Sequence, residues 1–363
     1  MSKKLFATCF IATGLIALGV LTLPGVASAD DFYKNKKIKL IVGLRASSTY
    51  SAYARTLSRN MGQYIPGKPG FIVQNMPGAG SLKSYNYLYN VAKRDGSEFG
   101  TGHRFVPIMT LFKIKGARFD GSKYSYIGSI NKEVGVALAW HTAGFKSLKD
   151  VLNRELIVGT SGGGSQLTNF TSVLKTALGA KFRVITGYRG TRAINLAMER
   201  GEIQGRAGVS YGSLKNSKPG WLRDKKVHIF MQMGLSRHPE LPKIPNILDV
   251  LKTDLDRKAV RLLLGPSEMG RPYVAPPGIP AGRLVALRAA FTSTMSDPKF
   301  KAEAAKLRLA IDPMSGAEVA SLMNRLYKDS PKAVVERAKE LTAAGFDVDL
   351  RKGKKKKKKK KKK

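Results

Sequence analysis

Gly159-Thr160-Ser161-Gly162-Gly163 matches G-x-S-x-G, the pentapeptide that places a serine nucleophile on a sharp turn between a strand and a helix. The flanks suit such a turn: the apolar run LIVG precedes it, and LTNFTSVLKTAL follows with helical spacing. A hydrolase built on Ser161 also needs an acid and then a histidine downstream, and Asp224 followed by His228 or His238 meets the order alone. No His-Gly-Gly run supplies an oxyanion hole, and the surplus glycines of SGGGS make the pentapeptide match easily. A nucleotide P-loop requires Lys-Ser/Thr after the glycines, where this chain has Ser165-Gln166. The four histidines, His103, His141, His228 and His238, stand far apart without metal-ligand spacing, and the carboxylates show no paired arrangement. The remaining chemistry for the segment is to hold an anion. Arg45–Ser51 (RASSTYS), Pro77–Ser81 (PGAGS) and Ser161–Ser165 (SGGGS) are all rich in Gly, Ala or Ser. Backbone approaches closely in such loops, hydroxyls donate, and the free N–H groups of a following helix favour negative charge.

These loops fall at regular places along the chain. IKLIV (Ile38–Val42) is followed by a polar loop, FIVQNM (Phe71–Met76) by PGAGS, LIVGT (from Leu156) by SGGGS and FRVITGY (Phe182–Tyr188) by Arg-Gly, each before a helical pattern. Strands alternating with helices of about 12 residues predict βαβ units and a mostly parallel sheet. In such a sheet ligands bind beyond the carboxyl ends of the strands, where the three loops lie. Toward the end helices dominate, over Ala281–Ser296, Ala302–Leu307, Ala317–Tyr327 and Pro331–Ala344. No fixed-period repeat or low-complexity linker interrupts the body.

The chain starts with Lys3 and Lys4, an apolar run from Leu5 to Leu23, and Ala27-Ser28-Ala29, the pattern of a secretory signal peptide over residues 1–29. Its single cysteine, Cys9, lies in that segment, so the mature chain has no disulfide and depends on a packed core. The formal charge is +39, of which twelve charges belong to Lys3, Lys4 and the tail Lys354–Lys363, leaving +27 on the body. Nucleic acid is one possible partner for such a surface, but the basic residues are spread over the whole length, no nucleic-acid motif appears, and export takes the chain away from it, so no nucleic-acid partner is expected. A small anion or an anionic membrane surface fits an exported chain better. The run at 351–363 has nothing apolar to bury and is expected to be disordered, with at most weak contact to anionic membrane through Lys354–Lys363.

The blocks NKKIKLIV, VQNMPGAGSLKSYNYLYNVAKRDG, TGYRGTRAINLAMERGEIQG and APPGIPAGRLVALRAAFTSTMSDPKF, in this order, resemble the extracytoplasmic receptors of tripartite tricarboxylate transporters, the Bug-type solute receptors. The resemblance runs from about Lys36 to Phe346, with the N-x-P-G-A-G and P-x-G-x-P blocks its specific parts. It implies an α/β, type II periplasmic-binding-protein fold: two α/β lobes around a ligand cleft, joined by a two-stranded hinge. Lobe 1 would take 30–134 and 251–350, and lobe 2 would take 135–250. The resemblance further implies a periplasmic protein that is not an enzyme, with no cofactor or metal. A small organic carboxylate would be its ligand and two membrane subunits its partners. Its ligand positions fall on Ser47, Ser48 and Ser51; on Gly78, Ala79 and Gly80, with Ser81 beside them; on Ser161, Gly163, Gly164 and Ser165; and on Tyr188 and Gly190. At the first loop the family's Gly-Gly and Asp are replaced by serines here. With Arg45 in the same loop, the local field is expected to favour di- or tricarboxylates over zwitterionic amino acids. The alternatives are a secreted serine hydrolase using Gly159–Gly163 and a basic adhesive protein acting through its charge.

Overall fold

The computed structural model describes residues 32–161, 166–188 and 190–343. The expected signal peptide, Gly163, Gly164, Ser165 and the lysine tail lie outside the described residues. Among the described residues eleven strands form two sheets. The first contains β1 (Lys37–Val42), β2 (Gly70–Asn75), β3 (Glu98–Thr101), β4 (Ser125–Ser129), β10 (Pro272–Ala275) and β11 (Met314–Ser315), in the order β11-β4-β10-β3-β1-β2. The second contains β5 (Gly135–Trp140), β6 (Leu156–Gly159), β7 (Phe182–Ile185), β8 (Gly205–Ser210) and β9 (Val227–Met233), in the order β7-β6-β8-β5-β9. The helices are α1 (Thr49–Met61), α2 (Leu82–Asn90), α3 (Leu148–Asn153), α4 (Gln166–Leu178), α5 (Thr191–Glu199), α6 (Tyr211–Ser217), α7 (Pro219–Arg223), α8 (Ile247–Val250), α9 (Asp254–Glu268), α10 (Ala281–Ser296), α11 (Pro298–Lys306), α12 (Gly316–Lys328) and α13 (Lys332–Ala343).

The expectation of a mostly parallel sheet is corrected. β1 pairs in parallel with β2 and β3, and β6 with β7 and β8, as βαβ units require. β10 is antiparallel to β3 and β4, β11 to β4, and β5 to β8 and β9. The reversed strands β5 and β10 each follow a crossing from one sheet to the other. A strand that enters from the opposite lobe has no crossover helix to turn it parallel.

Strand alternation sorts the core. Ile38, Leu40 and Val42 of β1 face a cluster with Tyr53, Leu57 and Phe291, whereas Ile41 faces the opposite cluster with Tyr85 and Leu88. On β5, Val136 and Leu138 point to Ile194 and Trp221, while Ala137 and Ala139 point the other way. Helix α1 buries Tyr50, Tyr53, Ala54, Leu57 and Met61, a 3–4 residue stripe laid against β1 and β2. The two late helices α9 and α13, although they fall in the stretch expected for lobe 1, pack on each other and α13 packs on α4. Their Leu263 and Val334 share one apolar cluster with Phe170 of α4, so burial of those faces decides where they sit.

The chain crosses between the sheets along two neighbouring segments. Gly270 N–H donates to Asn131 O at 2.8 Å, Glu133 N–H to Ser267 O at 2.9 Å, and Ile130 N–H to Arg271 O at 3.2 Å. These bonds form the two-stranded hinge. Among the described residues no helix is long and apolar enough to cross a membrane.

Candidate functional site

At the hinge, three charges that stand far apart in the chain meet out of water. Arg104 Nη1 lies 2.6 Å from Glu133 Oε2, and Arg271 Nη1 lies 2.7 Å from Glu133 Oε1. Burial alone would raise the Glu133 carboxyl, but the two guanidiniums outweigh it and hold it below the ordinary value. For Arg271 burial opposes the charge, and Glu133 overrides it and raises the pKa. The Arg271 guanidinium lies 4.3 Å from the ring centre of Tyr50 and 5.3 Å from that of Tyr53. Tyr50 OH donates to Gly270 O and accepts from Arg104 N–H, so the first helix is fastened to the hinge. The cluster keeps a net charge of +1, and Arg271 Nε and Asn131 Oδ1 are without partners among the described residues, beside a cavity.

That cavity, about 390 Å³, lies between the lobes. One wall carries Thr49 and Tyr53 of α1. The other carries Thr191 of α5 and Ser213 of α6, with Lys132 and Arg271 at the hinge. The two longer helices, α1 and α5, thus begin at one polar space from opposite lobes, and their N-terminal N–H groups bring positive potential to it. Behind Thr191 stands Arg206 on β8, 1% exposed. Its Nη1 donates to Asn195 Oδ1 and its Nη2 to Thr191 Oγ1 at 3.5 Å. Burial lowers it to about 10, still charged at neutral pH, and no ion pair to a carboxylate is found for it among the described residues.

The loops singled out in the sequence take different parts. Ser47 is exposed. Ser48 caps α1, its Oγ accepting from Ser51 N–H at 3.2 Å. Ser51 is fully buried and bonded to the Asn75 side chain, which also donates to Leu44 O at 2.8 Å. That side chain ties the first loop to the second. Gly78, Ala79, Gly80 and Ser81 run through four successive positive φ angles of 155°, 44°, 61° and 81°. Two of the four are not glycine, and left-handed backbone there costs on the order of 1 kcal/mol each, a strain that clusters at functional turns. Ala79 and Gly80 are exposed, but the Ser81 hydroxyl is committed: it donates to Gly43 O at 3.1 Å and accepts from His103 N–H at 3.0 Å. Gly43 permits this approach, since an added Cβ would meet Ser81 Cβ at 2.7 Å. In the second lobe Ser161 is half-buried, next to a buried Thr160 whose hydroxyl has no partner among the described residues. Tyr188 N–H donates to Thr160 O at 3.3 Å, which brings Tyr188 to the Ser161 loop, and Gly190, with φ 90°, precedes α5.

The sequence reading passed over Arg104, Glu133, Arg206 and Arg271, and weighed His103 only as a metal ligand. No local pattern marks them; the usable signal was that polar residues sit inside or beside apolar strands, as Arg206 does in GRAGVS. His103 stacks on Tyr50 at 6.5 Å between ring centres. Burial, then Arg104 and Arg271, lower it to about 4, so it is neutral at pH 7. Its Nδ1 accepts from Phe105 N–H at 3.4 Å, which leaves the proton on Nε2.

No hydrogen bond among the described residues joins Ser161 to Asp224, His228 or His238. Asp224 is occupied by Arg223 at 2.7 Å, and His238 Nδ1 accepts from Glu240 N–H at 3.2 Å. No group of three or more His, Cys, Asp or Glu able to hold a metal occurs among them.

No protein-family model matches the sequence, and a search of curated proteins finds no match. Solved structures do match in fold. A TctC solute binding protein from Polaromonas is 17% identical with a TM-score of 0.66, over 84% of this chain and 99% of that one. The periplasmic binding protein BugD is 17% identical at 0.58, over 85% and 98% of the two chains. A protein from R. palustris solved with adipate is 15% identical at 0.58, over 85% and 97%. The chain therefore has the two-lobed fold of periplasmic binding proteins.

Proposed function

We propose that the protein is an extracytoplasmic solute receptor of the tripartite tricarboxylate kind, which captures a small organic carboxylate between its lobes. The observation that carries this reading is the polar interlobe cavity onto which α1 and α5 open from opposite lobes, with Lys132, Arg271 and the buried Arg206 around it. A di- or tricarboxylate suits several positive groups converging on one space, and charge-assisted bonds are roughly twice as strong as neutral ones. The similar R. palustris protein was solved with adipate, and the Polaromonas one is described as a solute binding protein. On this reading residues 1–29 direct export to the periplasm, and the loaded receptor delivers its solute to two membrane subunits. On the strength of the resemblance the loops around Ser51 and Ser81, with Ser161, would supply further contacts to the solute, and the chemistry is binding without catalysis.

Thermal unfolding of the mature chain with citrate, succinate and glutamate tests the proposal. Citrate or succinate is expected to raise the midpoint, with glutamate weaker. Were no carboxylate to shift it at millimolar concentration, the receptor reading would fail, and covalent capture of Ser161 by a serine-directed phosphonate would replace it with the hydrolase.

A further inference from the structure

The polar cavity is bounded by two kinds of interlobe link. One is the hinge, where the chain itself passes between the lobes beside Asn131, Lys132 and Arg271. The other is a contact between Asn216 at the end of α6 and Arg308 just beyond α11, 92 positions apart in the sequence and both on the cavity lining. The Asn216 side-chain N–H donates to Arg308 O at 2.6 Å, and Arg308 Nη1 donates back to Asn216 O at 3.4 Å. Each residue thus serves the main chain of the other.

Each half is held by its own lobe. Ser210 caps α6, its Oγ accepting from Ser213 N–H at 3.2 Å, and Leu214 of that helix is buried with Trp221 in the core of the second lobe. On the other side the turn that ends α11 holds Arg308 at φ 54°, with Arg308 N–H donating to Ala305 O at 2.9 Å and Leu309 N–H to Ala304 O at 2.8 Å. Two residues on, Ala310 O accepts from Tyr53 OH at 2.9 Å, which ties the segment to α1. Swinging the lobes apart about the hinge must break both Asn216–Arg308 bonds, because one partner belongs to each lobe. The contact lies at the surface, where water replaces a lost bond, so it opens and reforms at small cost. Its bonds run from protein to protein and need no group from a solute. We propose that Asn216 and Arg308 form an interlobe latch that gates the polar cavity, slowing both entry and escape of the solute. The latch adds equally to the closed lobes with and without solute, so it cancels from the binding equilibrium and remains only in the barriers to opening. The gating of a solute rests on the receptor reading; the motion that the latch restrains does not.

Asn216→Ala tests this in the mature chain. The Asn216 side chain makes no other hydrogen bond among the described residues, and alanine suits a helix end. Because Cys9 is the chain's single cysteine and lies in the signal peptide, a dye pair can be attached at Lys149→Cys in α3 and Lys299→Cys in α11, exposed positions on the two lobes. Losing one bond of ordinary strength changes a rate by about three- to tenfold. Single-molecule energy transfer on the labelled chain without solute is expected to show opening faster by that factor in Asn216→Ala. Stopped-flow mixing with succinate, read by the same dyes, should show association and release both faster by the same factor. Calorimetry should find succinate affinity changed less than twofold. Opening that is no faster in the variant overturns the latch. Weaker succinate binding carried by release alone would make Asn216 a solute contact, and overturns it as well. Failure of the receptor reading shows differently, as no response to succinate or citrate, and the measurement without solute then still decides the latch.

Discussion

Glu133→Gln tests the hinge most directly. The carboxylate makes charge-assisted bonds of 2.6 Å to Arg104 and 2.7 Å to Arg271, and 4% of its side chain is exposed. The amide keeps the shape and one acceptor oxygen, but turns an N–H₂ toward a guanidinium and leaves two cations buried without an anion. Breaking a buried pair from one side costs about 3–5 kcal/mol. One surviving bond puts the expectation at the low end, about 3 kcal/mol. Urea unfolding, followed by Trp140 and Trp221 fluorescence and by far-UV circular dichroism, would read it at pH 7. The acid limb supplies a second test. The folded carboxyl lies below its ordinary value, so its stabilisation is present above the unfolded pKa of about 4.3 and fades as pH falls through the folded one. The wild-type advantage should therefore narrow below about pH 4, because protonation removes the charge the variant already lacks. A loss under about 1 kcal/mol at pH 7, or a gap unchanged in acid, would show that the triad contributes little.

Ser81→Ala removes a buried hydroxyl that serves Gly43 O and His103 N–H, and should lower stability by about 2 kcal/mol in urea titrations. Ser161→Ala should weaken carboxylate binding by about 1 kcal/mol in calorimetry, with no catalytic activity to lose. Arg206→Met should reduce succinate affinity while costing little stability, since a buried cation without a paired carboxylate is expensive to keep; a large stability loss with unchanged affinity would refute its part in the cleft field. Intact mass of exported protein should begin at Asp30, the residue after the Ala27-Ser28-Ala29 site.

Patterns of short range were readable from the chain alone. Ile38–Val42 shows as a strand and observed β1 covers Lys37–Val42, because alternate apolar residues need two faces to bury. Ala281–Ser296 shows as a helix with the same ends as observed, since Pro280 starts it and Asp297-Pro298 stops it. The Gly and Ser loops were legible for a related reason: a turn with four successive positive φ angles restricts residue type where it occurs. What Ser51 and Ser81 do was not legible. Both look like ligand hydroxyls, yet one is held by Asn75 and the other by Gly43 and His103, partners that only the packing of separate strands brings near. The same holds for Arg104, Glu133 and Arg271, for the antiparallel entry of β5 and β10, and for the seating of α13 on α4. Local periodicity follows from bonds and burial within a dozen residues, whereas the meeting of distant charges depends on how two lobes share a hinge, and nothing in the spacing of the residues encodes that distance.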